Sequence, residues 1–283
     1  MNRLATYLSF VRFSHSVFAL PFALTGALLA WRDQPFSWTQ AAWIIVCMVT
    51  ARSAAMGFNR LVDARYDALN PRTAMRELPR GAMSVNEARA FVIVSSILFV
   101  YAASRLSLLC LALSPVALAI VFWYSLAKRY TSYTQFFLGL AMAVAPVGGW
   151  IAAGGRGGVE PWLLGLAIGL WVGGFDVLYA CQDYEFDRSH GLRSIPTRFG
   201  VTNAIRLSRA MHVTTIVCMA LLWYAADLPI LYVAGVVLVA LLLTYEQSLV
   251  SDDDLSQVKK AFDLNGWVGI VYFVATAASL YLD

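Results

Sequence analysis

Apolar and polar positions alternate along this chain in long blocks. Apolar stretches fall at about 13–31, 41–58, 90–104, 106–126, 136–153, 161–178, 210–226, 229–245 and 266–282. Most approach the roughly 20 residues that a helix needs to cross the hydrocarbon of a bilayer. The pattern predicts an all-α polytopic membrane protein, nine transmembrane helices forming a bundle, with residues 1–283 as a single domain. Only Arg105 parts the third stretch from the fourth, which predicts a tight turn there. Pro21, Pro115 and Pro146 lie inside apolar runs, where membrane helices tolerate kinks if neighbours re-satisfy the backbone. Arg3 and Arg12 ahead of the first run resemble the start of a signal peptide. So many apolar stretches follow that the first is read as a retained helix.

Composition strengthens this picture. Of the 283 residues, 60% are hydrophobic and 13% charged, against about 25% charged in an ordinary soluble domain, and the mean hydropathy is +0.66. A water-facing surface of this size would lack about half its charge, which excludes a soluble globule. The net charge of +4 does not point to nucleic acid, because no basic helix interleaved with aromatics stands apart from the apolar runs. Cys47, Cys110, Cys181 and Cys218 show no C-x-x-C spacing and read as packing thiols.

The positions of the basic residues matter more than their sum. Of 21 Lys and Arg, 17 lie at the N-terminus or in the connections near 59–89, 127–135, 179–209 and 246–265. With nine crossings these all share one side of the membrane. The other side holds Arg32, Arg105 and Arg156, and Arg52 lies within the second span. By the positive-inside rule the N-terminus is cytoplasmic. Two inner connections, 59–89 and 179–209, are long for a compact bundle, and long loops of this kind are commonly functional.

Both long connections begin with a carboxylate face. The second span runs into Asn59, Asp63 and Asp67, spaced four apart and therefore stacked on one side of a continuing helix. Arg52, seven residues before Asn59, joins that side. The sixth span runs into Asp176, Tyr179, Asp183 and Asp187, whose offsets of zero, three, seven and eleven also return to one face. Like charges at this spacing repel, and carboxylates at a membrane helix end are costly to desolvate. Arg52, Arg60, Arg65, Arg72 and Arg76 offer a purely structural neutralisation of the first face. Two such faces at one membrane surface, four helices apart, point instead to Mg²⁺ held against a diphosphate. Mg²⁺ takes a few carboxylates and completes its shell with phosphate oxygens and water, while Arg and Lys bond the remaining oxygens. No Gly-rich phosphate loop is present, so an amphiphilic diphosphate with its tail in the bilayer fits better than a nucleotide.

At these residues the sequence resembles the UbiA superfamily of intramembrane aromatic prenyltransferases, which includes 4-hydroxybenzoate polyprenyltransferase. The family signatures N-D-x-x-D-x-x-x-D and D-x-x-Y-x-x-x-D correspond to Asn59-Arg60-x-x-Asp63-x-x-x-Asp67 and Asp176-x-x-Tyr179-x-x-x-Asp183. The likeness extends to Arg52, to Arg72-Thr73-x-x-Arg76 and to Tyr124-x-x-x-Lys128-Arg129-Tyr130-Thr131. The first Asp of the first signature is Arg60 here, which removes one possible metal ligand. Asn-Arg followed by Asn-Pro-Arg-Thr is similar to the branch often assigned to quinone synthesis, including menaquinone made by the futalosine route.

The resemblance implies a Mg²⁺-dependent transfer of a polyprenyl group from polyprenyl diphosphate to a small aromatic acid, 4-hydroxybenzoate, in ubiquinone or menaquinone synthesis. Asp63, Asp67, Asp176 and Asp183 are the implied catalytic and metal-binding residues. Arg52, Asn59, Arg72, Lys128, Tyr179, Arg193 and Arg12 are the implied substrate contacts, Arg12 for an aromatic carboxylate. Lys128, Arg129, Arg193 and Arg198 also fit plain positive-inside flanking, and Arg12 fits interfacial anchoring. The two long loops would cap the site. The implied location is the bacterial inner membrane, with the active site cytoplasmic.

Other features read more plainly. His15 and His212 lack a second ligand at metal spacing and read as packing residues, while His190 lies in the second long loop, where it is a candidate substrate contact. Trp31, Trp38 and Trp43 fit an outer aromatic belt. Asp252, Asp253 and Asp254 read as solvated surface. Two readings stay open: another acceptor of the superfamily, such as a naphthoate, homogentisate or a glycerol phosphate ether, and, in a different class, a transporter or anion-binding membrane protein. A transporter predicts ionisable residues near the bilayer midplane or broken helices in matching halves.

Overall fold

A computed structural model describes residues 3–11 and 13–282 of the chain. Arg12 and the side chain of His15 lie outside the described residues. Those described are helical with no strand. A short helix α1 (Arg3–Phe10) precedes α2 (Phe13–Trp31), α3 (Trp38–Leu69), α4 (Val85–Ser104), α5 (Leu108–Ala127), α6 (Thr134–Ala152) and α7 (Glu160–Ala180). A 3₁₀ turn (Cys181–Asp183) and the short helices α8 (Tyr184–Ser189) and α9 (Ile195–Phe199) lead to α10 (Val201–Ala225), α11 (Ile230–Ser248) and α12 (Val258–Tyr281).

Eight of these helices are long and apolar enough to cross a bilayer, and the described apolar part of α2 spans Leu20–Trp31. Each predicted apolar stretch falls on its own helix. The turn at Arg105 is present: Arg105 ends α4, and the Ser107 hydroxyl accepts from the Cys110 amide to start α5. A further capping box, Ser84 with Glu87, starts α4.

Consecutive long helices are neighbours, and α12 packs back on α2, so the bundle closes into a ring with α2 also leaning on α6. The largest core cluster centres on Trp171 of α7, fully buried, edge-on to Phe22 of α2 with ring centroids 5.0 Å apart. Its indole N–H donates to the Asn265 side chain of α12 at 2.6 Å, meeting the need of a buried polar tip. Where the helices come closest, glycine allows it. A Cβ at Gly26 would run into the Pro146 carbonyl, one at Gly149 into that of Ala23, and one at Gly139 into that of Gly169. These contacts bring α2 and α6, and α6 and α7, into backbone contact.

Both long connections are shorter than hydropathy alone suggests. α3 has 32 residues, about 48 Å at 1.5 Å per residue, against about 30 Å of hydrocarbon. It therefore continues as a helix through Asn59, Asp63 and Asp67. α10 likewise starts at Val201, well before its apolar stretch begins. The four cysteines are free thiols, three of them buried, and His212 is buried, with one ring nitrogen 3.2 Å from the Trp171 carbonyl and the other 3.0 Å from the Gln247 amide. Both outcomes agree with packing roles. Asp252 and Asp254 are exposed, and Asp252 accepts from the Thr202 hydroxyl at 2.8 Å, as expected of a surface cluster.

Candidate active site

The end of α3, the turn after it, the α5–α6 connection and the end of α7 converge on one polar pocket of about 190 Å³. Asn59, Asp63, Asp67, Asp176, Asp183 and Asp187 supply its oxygens, and Arg72, Arg76, Lys128 and Arg193 its charge. The two acidic faces, more than a hundred residues apart in sequence, thus meet in space.

Each face is neutralised by cations from another element. Asp63, 4% exposed, accepts from Lys128 Nζ at 2.8 Å, Arg129 Nη2 at 3.2 Å and Asn59 Nδ2 at 3.3 Å. Arg129 also bonds the Val62 carbonyl. Asp67 takes both its oxygens to Arg76 Nη1, at 2.7 and 2.8 Å. Arg72 crosses from the first connection to the second acidic face. Its Nε and Nη2 donate to the two Asp183 oxygens at 3.2 and 2.5 Å, and Nη1 donates to the Tyr179 hydroxyl at 3.1 Å. Burial works to lower the pKa of the Arg72 guanidinium, but Asp183 and Tyr179 beside it more than offset this and hold it above its ordinary value. The fork geometry of Arg suits this two-point grip. The Asn70-Pro71 turn positions Arg72: its amide donates to the Asn70 side chain at 2.9 Å, and the Thr73 hydroxyl donates to the Asp67 carbonyl at 3.1 Å.

Arg193 plays a different part. Its backbone amide donates to the Lys128 carbonyl at 3.0 Å and its guanidinium to the Tyr130 carbonyl at 2.7 Å. It therefore latches the α8–α9 segment onto the α5–α6 connection at the edge of the pocket. His190, which caps the C-terminus of α8, stacks back on Phe186 and does not line the pocket. Arg60 is 4% exposed and points away from the other carboxylates' partners: its Nε donates to the Phe10 carbonyl at 3.4 Å, at the C-terminus of α1. A cation there also complements the helix dipole. Nearby, the Ser9 hydroxyl donates to Glu77 at 2.5 Å.

Beyond the polar pocket lies an apolar cavity of about 1220 Å³, walled mainly by α3, α5, α6, α7 and α12. That exceeds the roughly 300–1,000 Å³ of an ordinary small-ligand site. Arg52 stands in its wall. Asn59, Arg72, Arg76, Tyr124, Asp176 and Tyr179 line both compartments and form the boundary between them. Several cavity-lining apolar side chains, among them Leu113, Val116, Leu140 and Leu166, are also exposed on the surface of the bundle. The cavity therefore reaches the apolar exterior.

The donor set suits a hard cation. Every potential ligand is an oxygen from a carboxylate or an amide, and cations for phosphate stand beside them. Among the described residues no three carboxylates lie close enough to share one ion, so phosphate oxygens and water would have to complete any shell. Asp187, Arg76, Arg129 and Tyr124 join the site without having been singled out as substrate or metal contacts. For Asp187 the signal was its four-residue step from Asp183; for Arg76, Arg129 and Tyr124 it was the family motifs that contain them.

The fold is thus a bundle of membrane-length helices with a charged compartment at one end that opens into an apolar cavity. The UbiA prenyltransferase family model matches residues 19–274, and the chain belongs to that family; it is a prenyltransferase and an integral membrane protein. The 4-hydroxybenzoate octaprenyltransferases of Escherichia fergusonii and Photobacterium profundum are each 30% identical to it over 243 residues, 84% of this chain and 83% of the relative. A UbiA homologue from Aeropyrum pernix K1, solved in its apo form, is 36% identical with a TM-score of 0.85, covering 93% of this chain and 96% of that one. A UbiA homologue from Archaeoglobus fulgidus bound to GPP and Mg²⁺ is 20% identical with a TM-score of 0.75, covering 96% and 99%. The latter is a likeness of fold.

Proposed function

We propose that this chain transfers a polyprenyl group from polyprenyl diphosphate to 4-hydroxybenzoate, as one domain of nine crossings whose N-terminus and site face the cytoplasm of a bacterial inner membrane. The observation that carries this reading is the shared boundary: six residues line both a charged compartment and an apolar cavity, which matches the two halves of a prenyl diphosphate. The relatives named as 4-hydroxybenzoate octaprenyltransferases support this acceptor, and a homologue solved with GPP and Mg²⁺ supports this donor class and cation.

The diphosphate binds in the polar pocket, where Arg72, Arg76, Lys128 and Arg129 exchange their carboxylate partners for phosphate oxygens. That exchange leaves Asp63, Asp67 and Asp183, with Asp176, as the residues that would hold Mg²⁺, which when bound neutralises charge on the leaving diphosphate. Asn59 remains beside Asp63 as a neutral donor. The allylic carbon then sits at the boundary, between Tyr124, Tyr179 and Asp176. Its C–O bond breaks, the electron pair leaves with the diphosphate, and the electron-rich ring of the hydroxybenzoate attacks the allylic cation. The ring proton passes to the released diphosphate as aromaticity returns. Arg52 in the cavity wall is a further substrate contact, and Arg12 is the contact for the carboxylate of the acceptor. The segments at 70–84 and 181–200 cap the head compartment and exclude water that would quench the cation.

The test is mass spectrometry of products from purified protein, Mg²⁺, octaprenyl diphosphate and a panel of aromatic acids. A prenylated 4-hydroxybenzoate is the expected product. Asp63→Asn and Asp183→Asn should each lower kcat/KM by about 10² or more, the scale of losing a transition-state electrostatic contact. Absence of labelling on any aromatic acid, with donor binding intact in both variants, sinks the reading.

A further inference from the structure

Glycine inside a helix lowers stability relative to alanine, so each one calls for a local reason. In α6 and α7 most have one: Gly139, Gly149 and Gly165 stand where a Cβ would strike a neighbouring helix. Gly148 of α6 and Gly266 of α12 do not. A Cβ at either would meet no heavy atom within 4 Å, and neither has the left-handed backbone that demands glycine. Both line the apolar cavity. Gly148 is exposed and Gly266 half-buried, so the open space beside each is shared with the cavity that both line.

We propose that Gly148 and Gly266 are specificity-determining positions for the length of the prenyl tail, kept bare so that a long chain can pass. The proposal rests on the prenyl-transfer reading above. The two positions lie at different depths. α12 begins at Val258 and α6 at Thr134, both at the charged end of the bundle. Gly266 is thus about 12 Å from that end and Gly148 about 21 Å, at 1.5 Å per residue. A side chain at Gly148 would obstruct only a tail that reaches that depth; one at Gly266 would meet the tail after fewer isoprene units.

The test compares forty-carbon and ten-carbon prenyl diphosphates as donors to 4-hydroxybenzoate. Purified full-length protein, Gly148→Ala, Gly148→Leu and Gly266→Leu are assayed, with melting temperatures measured in the same detergent. The expected result is a fall of at least tenfold in the ratio of kcat/KM for the long donor to that for the short one in Gly148→Leu, and a smaller fall in Gly148→Ala. Gly266→Leu should lower kcat/KM for the short donor more than Gly148→Leu does. A ratio within twofold of wild type in Gly148→Leu overturns the proposal while leaving prenyl transfer standing. A large loss of melting temperature in Gly148→Ala also overturns it, because it would reveal a packing role. A wild-type protein that transfers neither donor fails the prenyl-transfer reading itself.

Discussion

Arg72 shows how one side chain joins the two halves of the site. It is placed by the Asn70 turn and grips Asp183 with two nitrogens while bonding the Tyr179 hydroxyl with a third. Lysine would keep the charge but offers a single point in place of the planar fork. Arg72→Lys should therefore raise KM for the prenyl diphosphate about tenfold and Arg72→Ala more, by the roughly 1.4 kcal/mol per tenfold that one charge-assisted bond can supply; steady-state kinetics with the donor varied checks this. The acidic residues and their spacing were legible in the sequence, because four-residue steps on a helix imply a face. Their partners were legible only in part: Arg76, one of the five arginines named for the first face, does pair with Asp67. Arg60 and Arg65 looked as able to neutralise the first face as any residue, yet Arg60 turns to the Phe10 carbonyl and Arg65 is exposed. Lys128 and Arg129, from another helix end, hold Asp63 instead.

The helices themselves were legible from hydropathy; their ends were not. Apolar character ceases near residue 58, but α3 continues to Leu69, because backbone hydrogen bonding carries on wherever each turn is supported by the next and by packing on α4. That continuation makes the acidic face of α3 a rigid wall of the pocket. The contacts between helices depend on glycines that hydropathy cannot rank. At Gly149 an added methyl would collide with the Ala23 backbone carbonyl, which cannot rotate aside. Gly149→Ala should cost about 1–3 kcal/mol through separation of α2 and α6, seen as a lower melting temperature in detergent. Gly148, its neighbour in sequence, should tolerate the same change.

The bundle carries its charge at one end. Seventeen of 21 basic residues belong to the N-terminus or to the connections on that side, and the polar pocket lies among those connections. If the positive-inside rule sets the orientation, single cysteines introduced at exposed Asp253 or Arg80 in a cysteine-free background should resist a membrane-impermeant thiol reagent in intact cells and react after lysis. One at Arg156 should react in intact cells. The opposite pattern would invert the assigned topology. Among the described residues the long helices run without a break, and with most ionisable groups at one face they suit chemistry at a membrane surface better than passage through it.

Hydropathy and spacing by themselves determined that the chain is a membrane bundle, where its helices lie and which residues carry the acidic motifs, because those properties are local: they depend on runs of apolar residues and on helical repeat. Which cation answers which carboxylate, where Arg60 goes, and how the charged pocket joins a cavity of about 1220 Å³ were decided by tertiary packing. Apart from Arg76 with Asp67, these are relations between groups dozens of residues apart, and only the closed ring of helices brings them within bonding distance.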